Sequence, residues 1–490
     1  MSEQNEEKSR LEKLGKIKKI GINPYPEKFD KKQSLAECYA SKEGTPVKTA
    51  GRLIMLRDMG KLTFGHLQDC TGKMQIVFQM DKIGKDNYKI FLKIIDLGDF
   101  VGVEGEIFRT HKGELSVLVK EWTFLGKALK SMPEKWHGIK DTEIKYRQRY
   151  LDLISNPDTM KRFQLRSDLI KTLREFYWSE GFQEVETPIL LQKATGAHAK
   201  PYKTRHNASG LDVFLRISHE LPMKELIVGG YEKIFEIGKA FRNEGIDPSH
   251  LPEHTHAEHY CAYWNYKDNM AFTEKMFDYL FKVLKLPKLV SVIGKDGMRQ
   301  EVDFTTPWDR IDYIALLKKD CGLDVSKYDS AKKLLADLKK NKIQIKGMEN
   351  MGLATLVDNL YKKVSRPKIV GPVFLYNYPV ELQPLARRSD KDQRVVEQFQ
   401  LVINGWEVVK AYSELVDPID QENRFKEQTK LKNAGDAEAM EVDDEFVDAM
   451  KYGMPPISGW GMGIDRLFTI LTGQENLRDV VFFPLMKDKK

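Results

Sequence analysis

The sequence predicts an α+β chain: a small β-barrel ahead of a larger domain that mixes helices with long hairpins. Three observations point there. Between Val47 and about Lys127, short apolar runs of strand length are separated by glycine-bearing turns. Apolar residues recur at helical spacing from Glu6 to Ile20 and from Thr159 to Ser179. From Tyr231 to Tyr260 (YEKIFEIGKAFRNEGIDPSHLPEHTHAEHY), two strand-like runs flank a loop rich in Gly, Pro, Asp and Asn, which predicts a long hairpin.

Size and charge bound the function. A chain of 490 residues holds about two or three domains with sizeable cores. With 79 basic and 72 acidic residues the net charge is +7, a mild excess that permits a polyanionic partner without demanding one. The 4 cysteines are scattered with no CxxC pair, as expected of reduced thiols in cytosol. No apolar run approaches the ~20 residues that span a bilayer. The N-terminus MSEQNEEKSR lacks the apolar core of a signal peptide. The expectation is a soluble cytoplasmic protein with no membrane contact.

Residues 1–43 form a lysine-rich helical arm with Leu11, Leu14, Ile17 and Ile20 on a narrow face, either a solvated helix or a basic arm against RNA. Gly21 and Pro24 end it. Residues 44–129 carry five or so strands, which suits a Greek-key barrel such as an OB-fold. Thr71-Gly72-Lys73 marks a tight hairpin, across which Phe64 and Gln75 are expected close together on an exposed sheet. There an aromatic stacks on an unpaired base and an amide reads its edge. Residues 130–158 are a polar linker with a basic cluster at Lys145, Arg147 and Arg149. The domain 159–490 opens on the helix Thr159–Ser179, with Phe163, Ile170, Leu173 and Phe176 as its apolar stripe and Gly181 as its stop. A lysine-rich helical insertion over about 308–367 shows no chemistry of its own. Asn404-Gly405 predicts a two-residue hairpin turn. In PISGWGMGIDRLFTILTG, Gly459, Gly461 and Gly463 allow close backbone approach, and a helix then presents Arg466 in its first turn, an arrangement suited to phosphate.

The hairpin of the opening stretch has the makings of a charged pocket. Arg242 at its base can fork onto a carboxylate or phosphate, as lysine cannot. Strand alternation puts His254, His256, Glu258 and Tyr260 on one face.

FRNEG followed by PEHT and AEHY resembles the second signature motif of class II aminoacyl-tRNA synthetases, in their lysine-type branch. The helix, Gly181, short strand and Pro188 resemble motif 1, and GWGMGIDR resembles motif 3. The barrel is similar to the anticodon-binding barrel of the lysyl-tRNA synthetases. The resemblance runs from about Leu11 to Lys490, with the pieces in the family's order. It implies an antiparallel sheet flanked by helices and a homodimer. The implied reaction is activation of L-lysine by ATP to lysyl-adenylate, then transfer to tRNA(Lys), with Mg²⁺ as cofactor.

The resemblance also carries site roles. Arg242 bridges the α-phosphate and the substrate carboxylate, and Arg466 holds the γ-phosphate; these two are the catalytic residues. Glu244, His250 and His254 complete the ATP contacts, His254 standing where the family has its stacking aromatic, and Glu407 binds Mg²⁺. Gly196 and Glu220 hold the amino acid's α-amino group. Glu258, Tyr260 and Glu414 grip the ε-ammonium, and Tyr412 packs on the methylenes. Phe64 and Gln75 touch the anticodon, and the insertion over 308–367 faces the acceptor arm or is scaffold. Three residues depart from the pattern. Lys410 replaces an asparagine near the substrate carboxylate, Gln400 replaces an acidic metal ligand, and Ser249 replaces a loop arginine. Alternation after Asn404-Gly405 puts Lys410, Tyr412 and Glu414 on one face and Glu407 on the other, so a single pocket requires a bulge near Val408-Val409.

Three rival readings compete with this one. Zinc on His250, His254, His256 and His259 is disfavoured because His259 should face away from its neighbours. A silent paralogue would be free to lose Arg242, Arg466 or Glu407, and all are present. An aspartyl- or asparaginyl-type enzyme needs a cation for the substrate side chain, for which Lys410 alone speaks.

Overall fold

The computed structural model describes residues 3–132, 139, 141–197, 199–294, 297–433 and 443–488. Residues 133–138 and 140 of the predicted linker lie outside them. The chain divides into two compact units, Met1–Thr142 with Tyr150–Met160, and Glu143–Arg149 with Lys161–Lys490.

In the first unit, five strands close into a barrel: β1 (Pro46–Asp58), β2 (Leu62–Gln68), β3 (Lys73–Gln79), β4 (Phe100–Arg109) and β5 (Leu115–Gly126). Strand β1 is long enough to serve twice, pairing β4 through its first half and β2 through its second, with a register shift between Leu53 and Met55. A bulge at this point bends the strand so that one sheet can turn back on itself. The predicted hairpin joins β2 to β3, where Asp69 Oδ1 accepts from Thr71 N at 2.8 Å and Gly72 N at 3.1 Å. The N-terminal helix, Glu3–Lys19, is not simply solvated. Ile17 is buried in the barrel's core cluster, and Arg10, 6% exposed, donates to Leu97 O at 3.0 Å and Ala128 O at 3.1 Å.

The second unit is built on an eight-stranded sheet. Its strands are β6 (Gln183–Glu184), β10 (Lys233–Phe241), β11 (Glu253–Ala262), β14 (Asp309–Asp312), β15 (Val373–Pro379), β16 (Val395–Ile403), β17 (Trp406–Ser413) and β18 (Ile457–Gly463). Their order is β14-β15-β16-β17-β18-β11-β10-β6, antiparallel except at the two edges, where β14 and β6 pair in parallel. A small sheet of β7 (Leu190–Leu191), β8 (Lys203–His206) and β9 (Leu211–Leu215) and a hairpin of β12 (Leu289–Ile293) and β13 (Arg299–Asp303) lie outside it.

Two apolar clusters hold this sheet. One joins Phe399, Ala411, Trp460 and Ala257 of the strands to Leu169, Leu173, Phe176 and Tyr177 of the helix Pro157–Ser179, and to Phe272 and Phe277 of the helix Tyr266–Val283. Leu169, not the expected Ile170, is the fully buried member of the first helix's stripe. Asn265 and Asp268 form a capping box at the start of the second helix. The other cluster joins Leu375, Val402 and Tyr412 to the helices Tyr313–Cys321, Ala331–Lys340 and Leu353–Val364. The stretch 308–367, expected as an insertion that faces the acceptor arm or is scaffold, supplies an edge strand, β14, and one side of the core.

One buried ion pair ties distant segments together. Arg166 Nη2 donates to Asp465 Oδ1 at 2.5 Å and Thr255 Oγ1 at 3.1 Å, while Asp465 Oδ2 accepts from Thr255 N at 2.8 Å. Asp465 is 2% exposed, so it cannot recruit water if its partner is lost. Arg166→Met is expected to lower the unfolding free energy by about 3–5 kcal/mol, because a carboxylate stays buried and uncompensated. Urea denaturation checks this; a loss of under about 1 kcal/mol would refute it.

Candidate active site

Register decides which side chains share a face. Lys410 of β17 stands opposite Gly461 of β18, which stands opposite Glu258 of β11; on the other side Lys410 faces Gln400 of β16. In the next row Tyr412 faces Gly459, which faces Tyr260. The glycines lie between rows of large polar side chains, and that explains them. A Cβ at Gly459 would collide with Glu414 Oε1 and the Tyr260 ring, and one at Gly461 would meet His256 Cε1 at 3.0 Å. The expected bulge is present: Leu401 pairs Val409 and Val402 pairs Glu407, leaving Val408 as the extra residue. It brings Glu407 onto the face of Lys410 and Tyr412, and all three line one cavity of about 570 Å³.

That cavity collects most of the residues singled out from sequence. Arg242, Glu244, His250, His254, Glu407 and Arg466 line it, as do Gly196, Glu220, Glu258, Tyr260, Gln400, Lys410 and Tyr412. Glu414 does not reach its wall; it is 1% exposed and lies against Tyr260 beneath Gly459.

At the acidic end, Glu258 is saturated with donors. Its Oε1 accepts from Ser218 Oγ at 3.0 Å and His219 N at 3.1 Å, with His219 Nδ1 at 3.2 Å and His256 Nδ1 at 3.0 Å; Tyr260 Oη donates to Oε2 at 3.2 Å. Burial alone would raise this carboxyl, but the donors outweigh it and hold it well below the usual range. Glu220 opens the helix Glu220–Val228, and its Oε1 accepts from Tyr412 Oη at 2.7 Å and Lys224 Nζ at 2.6 Å. Lys224, 1% exposed, also ion-pairs with Glu414 Oε2. Neither oxygen of Glu414 receives a well-directed hydrogen bond. Burial, with repulsion from Glu220 and Glu258 only partly offset by Lys224, pushes Glu414 up to about 8.

At the basic end, Arg466 Nη1 donates to Glu407 O at 3.0 Å, and Arg242 Nε reaches Ile217 O at 3.4 Å. Glu407 Oε1 pairs with Arg366 Nη1 at 3.2 Å, and Gln400 Oε1 accepts from Tyr378 Oη at 2.7 Å. Burial and the nearby Arg242 push His254 down to about 2, so its ring is neutral and free to stack. Lys410 opens into the cavity, where desolvation lowers its pKa.

One expectation holds and one changes. His259 faces the opposite side of β11, its ring against Trp460 with centroids 4.9 Å apart and its Nε2 2.7 Å from Asn269 Oδ1, so it cannot join His254 and His256 around an ion. His250 instead pairs with Asp247 at 2.8 Å. On the barrel, Phe64 and Gln75 share a face but stand diagonally, opposite Val77 and His66. Gln75 is 8% exposed, its Nε2 donating to Glu114 Oε2 at 2.7 Å and its Oε1 accepting from Ser116 Oγ at 2.8 Å. It is a held amide rather than a presented one. Sequence reasoning missed Lys224, Ser218, His219 and Arg366. For Lys224 there was a signal: a lone lysine four residues after Glu220 in the apolar helix ELPMKELIV.

Comparison with known proteins identifies the family. Residues 141–487 match the family of class II tRNA synthetases (D, K and N), and residues 47–125 match the OB-fold nucleic acid binding domain. The chain belongs to the class II tRNA synthetases, ATP-dependent ligases of amino acids to tRNA. Within that class, similar proteins include lysine–tRNA ligases. That of Aquifex aeolicus is 47% identical, covering 91% of this chain and 74% of the relative. Those of Thermosipho africanus and Thermotoga maritima are 44% and 43% identical, each covering 98% of this chain and 96% of the relative.

The glycine rows yield a graded prediction. Gly459→Ala is expected to reduce amino-acid-dependent ATP–pyrophosphate exchange more than about tenfold, since overpacking costs about 1–3 kcal/mol. Gly461→Ala, whose nearest neighbour is the movable edge of the His256 ring, is expected to lose less; steady-state exchange kinetics compare them.

Proposed function

We propose that this chain is a lysine–tRNA ligase that activates L-lysine with ATP to lysyl-adenylate and transfers it to tRNA(Lys). One observation carries the specificity: the buried acids Glu220, Glu258 and Glu414 lie together with a single buried ammonium, that of Lys224, which pairs with both Glu220 and Glu414. Such a cluster has fewer cations than acids, and the lysine ε-ammonium supplies one. A neutral side chain in its place would leave buried polar groups without partners.

Activation needs alignment and charge cancellation rather than a protein nucleophile. In this reading Glu220 and Gly196 hold the α-amino group, Tyr412 covers the methylenes, and Arg242 bridges the substrate carboxylate and the α-phosphate. The substrate carboxylate attacks that phosphorus, and pyrophosphate leaves toward Arg466. Glu244 and the neutral His254 seat the adenine, with His250 at the rim. Glu407 and the amide oxygen of Gln400 are hard oxygen donors that fit Mg²⁺, and both line the cavity. When bound, the ion would neutralise charge on the departing pyrophosphate. Lys410 would face the substrate carboxylate.

The OB-fold domain would read the anticodon through Phe64, with Gln75 and Glu114 acting as a pair, and the helical arm and 308–367 would approach the tRNA. Exposed Trp178, Ile189, Leu190 and Leu211 support a homodimer interface. No described helix is long and apolar enough to cross a membrane, which fits the cytoplasmic setting of this reading.

An aspartate- or asparagine-activating enzyme is the second reading, because Lys410 offers a cation and the matched family includes those types. ATP–pyrophosphate exchange with each of the twenty amino acids separates them. Lysine alone is expected to stimulate exchange, and Glu414→Gln to reduce the lysine response by about a hundredfold or more, the scale of losing a buried charged contact. Exchange driven by aspartate or asparagine would overturn the assignment.

A further inference from the structure

Three carboxylates meet at the acidic end, Glu220 and Glu258 in the cavity wall and Glu414 directly behind it against Tyr260 and Gly459, and each is compensated differently. Glu258 has its full set of donors. Glu220 has Tyr412 and Lys224. Glu414 has only its share of the Lys224 ammonium, which it divides with Glu220. Among the described residues no second cation forms an ion pair with Glu414, and Lys410 acts on it only at longer range. The helix Glu220–Val228 contributes Glu220 and Lys224, β11 contributes Glu258 and Tyr260, and β18 contributes Gly459. Its own strand contributes Tyr412 and Lys410, the latter directed over the Tyr412 ring with its ammonium 5.6 Å from the centroid. His219 and His256 are spent on Glu258, and Phe446 of the helix Asp444–Lys451 brings only a ring, 5.9 Å from the Lys224 ammonium.

We infer that one buried ammonium shared by two carboxylates leaves the empty pocket one acid in excess, that Glu414 carries a proton until the ligand arrives, and that the incoming side-chain ammonium expels this proton to solvent and takes its place. Atoms balance: the carboxylic O–H of Glu414 breaks, the proton leaves to water or buffer, and the ligand ammonium pairs with the carboxylate formed. Burial and the neighbouring acids raise Glu414 in the same direction. Lys224 does not line the cavity. It is therefore a positioning residue that sets the charge of the acids in front of it.

The sign of the pH dependence follows. Because binding releases a proton, affinity for a cationic ligand rises with pH while Glu414 is protonated in the free protein. It levels off once that group ionises by itself, around the value of about 8. Discrimination moves the same way. At low pH the protonated pocket is nearly neutral and tolerates an uncharged isostere such as norleucine; as Glu414 ionises, the isostere is increasingly rejected.

This inference rests on the lysine reading, and calorimetry separates the two. L-Lysine is titrated into the full chain at pH 6.5–7.5 in two buffers of different ionisation enthalpy. The expected result is release of close to one proton per lysine, falling toward zero near pH 9. The lysine-over-norleucine ratio of kcat/KM in exchange is expected to rise by up to tenfold per pH unit over the lower range. Glu414→Gln is expected to bind lysine more weakly, with no such release and a flat ratio. Lysine binding without proton release by the unmodified chain, or release that persists in Glu414→Gln, overturns the inference and leaves the lysine reading standing. Absence of both lysine binding and lysine-dependent exchange overturns both.

Discussion

Removing a carboxylate from water costs several kcal/mol unless donors or a counter-charge replace the hydration, and the second unit buries three within one pocket. Much of its architecture answers that constraint. Strand β18 gives up side chains at Gly459 and Gly461 so that Glu414, Tyr260 and Glu258 have room in front of it. The helix that begins at Glu220 places Lys224 one turn later, the i, i+4 spacing at which an acid and a base meet on one face. The loop before that helix supplies Ser218 Oγ and a backbone N–H to Glu258. Apolar clusters on both sides of the sheet keep these side chains from relaxing toward water.

What the sequence disclosed follows from the range of the interactions. Alternation of period two, the Gly/Pro/Asp loop and the Asn404-Gly405 turn are local signals. They suffice for β10–β11, β16–β17 and the face shared by His254, His256, Glu258 and Tyr260. The bulge at Val408 was legible too, because one pocket required both Glu407 and Glu414 and strict alternation could not supply them. The engagement of Gln75 by Glu114 was not, since it depends on β3 pairing in parallel with β5, about forty residues away in sequence. Nor was the partnership of Arg166 with Asp465, two ordinary-looking charges 299 positions apart. The helices of the stretch 308–367 are amphipathic and lysine-rich outside, which says that one face is covered but not by what; that Leu375, Val402 and Tyr412 cover it depends on contacts distant in sequence.

Lys410 is the residue that most invites a different substrate, and its place in the rows limits that invitation. It stands in the row of Gln400, Gly461 and Glu258, whereas Glu414 follows Tyr412 in the rows beyond it. Glu220 and Glu407 both pull on its charge, but burial still lowers its pKa, so it is a reluctant cation. A side-chain carboxylate directed past Lys410 would meet Glu220, Glu258 and Glu414, with Lys224 already divided between two of them. A carboxylate held short of them has the cations Arg242 and Lys410 beside it, and in the proposed reading that is where the main-chain carboxylate of an amino acid sits to attack the nucleotide. The cavity is thus polarised along its length, guanidinium groups at one end and acids at the other. An α-amino acid that carries a positive charge at the far end of its side chain satisfies both ends at once, whereas an acidic one satisfies only the first.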